Sequence, residues 1–257
     1  MILTVDAGNT NISFGGYENE KLSFTARMAT DHTRTADQYA AEIVQILSLY
    51  RFCVDDITDG IISSVVPECT YAIAGAIEKI SGKKPLIIGP GLKSGLNIKI
   101  DNPAQLGADL VCTAVAAIKK YPLPCLVLDL GTATKISVID QNAAYLGCTI
   151  TPGVNISLQA LSNGASQLPG LSLEAPRYVI GTNTTSSMLS GTVFGAAAML
   201  DGLCDRIEEE LLAPVQTIVA TGGLCKEIVR HCKRKMLIDP TLIHDGLLQI
   251  YDKNRKH

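Results

Sequence analysis

The chain has 257 residues, 47% of them apolar, and carries a formal net charge of −3. That length admits one large or two modest domains with a sizeable buried core. The acidic balance and absence of Trp argue against a nucleic-acid binder, which would show a basic surface and stacking platforms. No run approaches the roughly 18 apolar residues of a membrane span, and the N-terminus leads straight into a strand, so neither membrane insertion nor a leader is expected. The 8 cysteines form no CxxC and sit in apolar segments, as reduced core cysteines of a cytoplasmic protein would. The 4 histidines have no ligand spacing.

Taken in order, Leu3–Asn11 followed by Ile12–Gly16 reads as strand, tight turn and strand, and Lys21–Met28 as a third strand. Thr30–Thr35 is a polar loop, and Ala36–Tyr50 has helical spacing, with Tyr39, Ile43, Ile46, Leu47 and Tyr50 on one face. A turn over Asp56–Asp59 precedes a buried strand, Gly60–Pro67, stopped by its proline. A helix over Thr70–Ser81 and a strand over Lys84–Ile88 complete an α/β first half. Gly89–Asn102 is irregular, Pro103 can open a helix, and Val111–Lys120 is a small-residue helix. The second half predicts strands over 126–132, Lys135–Ile139 and Ala144–Thr151, then an amphipathic helix over Val154–Ser166 and a loop at Leu168–Leu171. A long small-residue helix, Met188–Glu210, is suited to packing against another helix or a subunit. A strand over Thr217–Ala220 runs into the Thr221-Gly222-Gly223 turn, and a helix over Pro240–Ile250, free to return to the first half, closes the chain before a polar tail, Asp252–His257.

The first turn carries distinctive chemistry. A carboxylate at the tip of a buried strand is expensive unless something binds it. Asp6 stands there, followed by Gly8, which permits close backbone approach, and by Asn9, Thr10 and Asn11 as neutral donors. This suits Mg²⁺ beside ATP phosphates; an ordinary hairpin with Asx-turn chemistry uses the same residues. Leu126–Thr134 repeats the plan, with Asp129, Gly131 and Thr132 in the corresponding places. Asp109, lying in sequence between the copies, is either a helix-start carboxylate complementing the dipole or a general base. The Thr221–Gly223 turn is either a ligand platform or a plain strand-to-helix turn.

Two copies of strand–Asp-x-Gly–strand resemble the acetate and sugar kinase/Hsp70/actin superfamily, which implies an α/β fold of two similar actin-like (ribonuclease H-like) domains with a cleft between them. The expected boundaries are residues 1–113, joined by the helix near 238–251, and residues 114–237. The chain resembles, nearly end to end, the type III pantothenate kinases. The residues that carry the likeness are D-A-G-N-T (Asp6–Thr10), the A-R-M-A-T segment with R-T-A-D (Arg27–Thr30, Arg34–Asp37), S-S-V-V-P (Ser63–Pro67) and D-N-P-A-Q-L-G-A-D (Asp101–Asp109), then D-L-G-T-A-T (Asp129–Thr134), T-P-G (Thr151–Gly153), G-T-N-T with S-M-L-S-G (Gly181–Thr184, Ser187–Gly191) and T-G-G-L (Thr221–Leu224). The resemblance implies phosphorylation of the primary hydroxyl of pantothenate by ATP. It assigns Asp6, Ala7, Gly8, Asn9, Thr10, Asn11, Gly131 and Thr132 to the ATP phosphates, with Asp6 also on Mg²⁺. It makes Asp109 the base, places Gly107, Ala108 and Thr184 at the substrate, and sets Thr221, Gly222 and Gly223 beside the adenosine. Asp129 would hold a monovalent cation, K⁺ or NH₄⁺, in a cytoplasmic homodimer.

Three residues depart from that pattern. The G-A-D motif is followed by Leu110 where the family has Arg, and Leu supplies no planar fork for a carboxylate or phosphate. Ile100 replaces a Tyr, and Lys135 follows D-L-G-T-A-T in place of a small residue. Lys135 can stand in for the monovalent cation, supply part of the missing Arg charge, or point to solvent. The departures leave two other functions open: a kinase-like binding or regulatory protein without useful turnover, and a kinase for a different small alcohol.

Overall fold

A computed structural model describes residues 1–164 and 169–254 of the chain. In chain order the elements are β1 (Ile2–Ala7), β2 (Asn11–Glu18), β3 (Lys21–Ala29), α1 (Ala36–Leu49), β4 (Asp59–Ser64), α2 (Pro67–Ser81), β5 (Leu86–Ile87), β6 (Asn97–Ile98), α3 (Ala108–Lys120), β7 (Cys125–Leu130), β8 (Ala133–Ile139), β9 (Ala144–Pro152), α4 (Val154–Gly164), α5 (Thr184–Leu211), β10 (Thr217–Thr221), α6 (Cys225–Val229), β11 (Leu237–Ile238) and α7 (Leu242–Asn254). They form two compact units. The first comprises Met1–Leu96, Asp101–Ala116 and Thr241–His257; the second comprises Asn97–Ile100 and Ala117–Pro240.

The first unit is built on a sheet of order β3-β2-β1-β4-β5, in which β1 pairs antiparallel with β2 and parallel with β4. Successive side chains of a strand point to opposite faces. Leu3, Val5 and Ala7 therefore share one face, where they join Tyr39, Ile43 and Leu47 of α1 and Cys69, Ile73 and Ile77 of α2. The other face is covered by α3 and α7, through Ile61, Val111, Cys112, Leu247 and Ile250. Helix α1 starts at Thr35, which closes a capping box with Gln38. The expected proline stop at Pro67 is instead a helix start: Pro67 takes the first position of α2, where its missing N–H matters least.

Burial of a base in this unit gives a pH-dependent stability. His244 on α7 is 3% exposed, and its Nδ1 lies 2.9 Å from Thr4 Oγ1 on β1. Burial pushes its pKa from 6.5 down to about 4. Between those values the unfolded chain takes up a proton that the native protein refuses, so this contribution is complete above the unfolded pKa and shrinks as pH falls. Urea unfolding at pH 7 and pH 5 is expected to show a loss of about 2 kcal/mol from this group. His244→Leu should remove that part of the slope; an unchanged slope would contradict the assignment.

The second unit has a sheet of order β11-β10-β7-β8-β9-β6. Its β9-β8-β7-β10-β11 run repeats β3-β2-β1-β4-β5 in order and in strand sense, antiparallel on one side of β7 and parallel on the other. Strand β6 is an added edge, parallel to β9. Leu126, Leu128 and Leu130 face a core shared with Val193, Ala197 and Leu200 of α5 and Ile218 of β10. Against the expectation that no apolar run is long enough, α5 is by length and composition able to cross a membrane, with mean hydropathy 1.3 over its most apolar window. Its Val193–Ala197–Leu200–Cys204 stripe is buried in this core, and 33% of that window is buried in all. Helix α5 starts at Thr184 rather than Met188 because Asn183 caps it, accepting from Ser186 N at 2.9 Å. Of the expected α4 helix, Ala165 and Ser166 lie outside the described residues, as do Leu168 of the next loop and Arg255–His257 of the tail.

Candidate active site

The first Asp turn sits at the end of β1. Gly8 N donates to Asn11 O at 3.0 Å, closing the turn, and Thr30 braces it by donating from N to Thr10 O (3.0 Å) and from Oγ1 to Gly8 O (2.6 Å). Ala7 is buried, whereas Asn9, Thr10 and Asn11 are exposed. Parallel pairing sets Ser63 of β4 opposite Asp6, and Ser63 Oγ donates to Asp6 Oδ1 at 3.0 Å. This leaves a half-buried carboxylate beside an exposed donor turn, a donor set that fits a divalent metal with its phosphates.

The same unit holds Gly107, Ala108 and Asp109. Asp109 lies in the first turn of α3, and its Oδ1 accepts from Leu110 N at 2.9 Å. Gly107 leaves room for that carboxylate, since a Cβ there would come within 2.6 Å of Asp109 Oδ1. One turn on, Cys112 is fully buried; burial first, then the charges of Asp6 and Asp109, hold its thiol well above the usual range. Both carboxylates thus bear on one buried sulfur. Leu110 is 6% exposed, so its side chain goes to the interior and offers nothing to a substrate anion.

The second Asp turn ends β7. Gly131 N donates to Ala133 O at 3.1 Å, and Gly153 N donates to Thr132 O at 3.1 Å. Gly153 is seated so tightly that a Cβ would fall 2.2 Å from Thr132 O. Asp129 faces away from the core taken by Leu128 and Leu130, and antiparallel pairing sets Lys135 directly opposite it. Lys135 Nζ lies 2.9 Å from Asp129 Oδ2, with side chains only 15% and 21% exposed. On the other flank Thr221 of β10 is the register partner of Asp129, and Gly222 follows with φ +92°. The Thr221–Gly223 turn therefore packs directly on the second Asp turn. Thr184 is exposed at the start of α5, and Ile100 is half-buried in this same unit.

Three residues of these turns escape sequence reasoning as site residues: Thr30, Ser63 and Gly153. All three lie in or beside quoted segments. Their contacts depend on strand register, which spacing along the chain does not reveal.

Two sheets of matching order, each with a strand–Asp-x-Gly–strand turn, define a duplicated, actin-like α/β fold. The activator of the 2-hydroxyisocaproyl-CoA dehydratase from Clostridium difficile, solved with bound ADPNP, shares this fold at a TM-score of 0.59 and 11% identity, over 100% of this chain and 98% of that one. Residues 2–206 match the family of type III pantothenate kinases. The type III pantothenate kinase of Exiguobacterium sibiricum is 41% identical over 255 residues, covering 99% of this chain and 100% of its own length. That of Shouchella clausii is also 41% identical, over 256 residues, with 99% and 100% coverage. The chain belongs to the type III pantothenate kinase family and is a phosphotransferase.

Proposed function

We propose that the protein transfers the γ-phosphoryl group of ATP to the primary hydroxyl of pantothenate, giving 4'-phosphopantothenate and ADP in the first step of coenzyme A synthesis. The observation that supports the mechanism is that Asp6, at the end of β1, and Asp109, in the first turn of α3, belong to one compact unit. Asp109 accepts the hydroxyl proton as the hydroxyl oxygen bonds to phosphorus and the bond to the bridging oxygen of ADP breaks. Asp6 would hold Mg²⁺, which would supply charge neutralisation at the phosphates. The Asp6–Asn11 turn and Gly131–Thr132 present backbone and side-chain donors to the phosphates, with Thr221–Gly223 on the adenosine side and Gly107, Ala108 and Thr184 on the acceptor side.

A cytoplasmic homodimer fits this reading. Tyr178, Val179 and Ile180 form an apolar run 63%, 66% and 84% exposed, the kind of surface a second copy would cover. One observation favours a different small alcohol as acceptor: the buried Leu110 leaves an acceptor carboxylate without the expected fork. A coupled ADP-release assay with ATP and Mg²⁺ separates the readings. ADP release that depends on pantothenate is the expected result. Release without any acceptor would make the protein an ATPase, and no release from folded protein would favour a binding role.

A further inference from the structure

The residues at Asp129 do not fit the monovalent cation that the family resemblance implies there. Asp129 Oδ2 already has the Lys135 ammonium at 2.9 Å. A carboxylate neutralised at that distance has little net charge left to attract K⁺, and the ammonium repels a second cation beside it. The position of Lys135 is imposed by the sheet: it is the register partner of Asp129 in the β7–β8 pair, on the face away from the Leu128–Leu130 core. Only 15% of its side chain is exposed, so the aliphatic stem is held against the sheet and the ammonium cannot swing freely into solvent. Asp129 itself is two residues from Gly131 and three from Thr132, the turn assigned to phosphate.

We infer that Lys135 is the resident cation of the second phosphate turn, a covalently attached substitute for K⁺ or NH₄⁺. It fixes Asp129 and adds positive charge where ATP phosphates are received, so nucleotide binding and phosphoryl transfer need no monovalent cation. Lys135 acts here as a positioning residue, through Asp129 and the field of the turn. The inference rests on the kinase reading proposed above.

The test is the affinity for Mg·ATP by calorimetry, without acceptor, in KCl and in choline chloride at equal ionic strength. Wild type should bind equally, within about twofold, in the two salts. Lys135→Thr should bind at least about tenfold more weakly in choline, the size of one lost charge-assisted contact, and KCl should restore most of the loss. Lys135→Gln repeats the comparison with side-chain length kept, should the threonine variant fail to fold. Wild-type binding that requires K⁺ would overturn the inference. So would a folded Lys135 variant that binds as wild type does in both salts. Because no acceptor is present, the outcome is independent of pantothenate. The salt pattern without pantothenate turnover would remove the acceptor reading alone. Pantothenate turnover that depends strictly on K⁺ would remove the role of Lys135 alone.

Discussion

Asp109→Asn is expected to lower kcat for pantothenate phosphorylation by about 10²- to 10⁴-fold, the range for loss of a general base. The replacement keeps the side-chain shape and can still accept the Leu110 N–H that Asp109 Oδ1 now receives at 2.9 Å. Thermal stability and Mg·ATP affinity should therefore stay close to wild type. Steady-state kinetics with both substrates varied, together with nucleotide titration, reads the difference. If kcat is retained, the proton leaves by another route and Asp109 serves only the start of α3. If kcat and ATP affinity fall together, the carboxylate belongs to the nucleotide site rather than to the acceptor.

Gly222→Ala should carry a large stability penalty. The residue has φ +92°, where an L side chain is strained by roughly 1–2 kcal/mol. Its added Cβ would also lie 2.6 Å from Leu130 O and 2.8 Å from Asp129 Oδ1. Forcing a methyl into so tight a seat costs a further ~1–3 kcal/mol, so the total expected from urea unfolding is about 2–5 kcal/mol. Gly82→Ala is the control. Gly82 has φ +72° but nothing within 4 Å of an added Cβ, so only the backbone term remains. Equal penalties at the two positions would show that the turn yields, and that its contact with Leu130 and Asp129 matters little. A larger penalty at Gly222, with weaker Mg·ATP binding, would tie the Thr221–Gly223 turn to the second Asp turn as one piece of machinery.

Much of the fold is legible in the sequence because the Asp turns repeat. Strand–Asp-x-Gly–strand appears at Leu3–Gly16 and again at Leu126–Ile139, and the two sheets repeat one strand order around β1 and β7. Strands with continuous apolar runs, such as Gly60–Ser63, declare themselves because both faces of the sheet are covered. The short edges do not: β6 and β11 have 2 residues each, too few to show a period. Pro67 misleads because a proline that ends a strand and one that begins a helix look alike until the helix is seen. At the site, the residue types were readable and their partners were not. Nothing in the chain order of Asp6 and Ser63 announces a hydrogen bond across 57 positions; parallel register between β1 and β4 makes it. Lys135 is the converse case. A strand lysine commonly reaches solvent, and here the antiparallel partner happens to be Asp129, which captures it.

Product analysis decides whether the γ-phosphoryl group reaches pantothenate. The folded protein is incubated with ATP, Mg²⁺ and pantothenate, and phosphorus-31 NMR follows the fate of the γ-phosphoryl group. A phosphomonoester on the primary alcohol carbon, formed one for one with ADP, is expected. Inorganic phosphate in its place, with pantothenate unchanged, would contradict it.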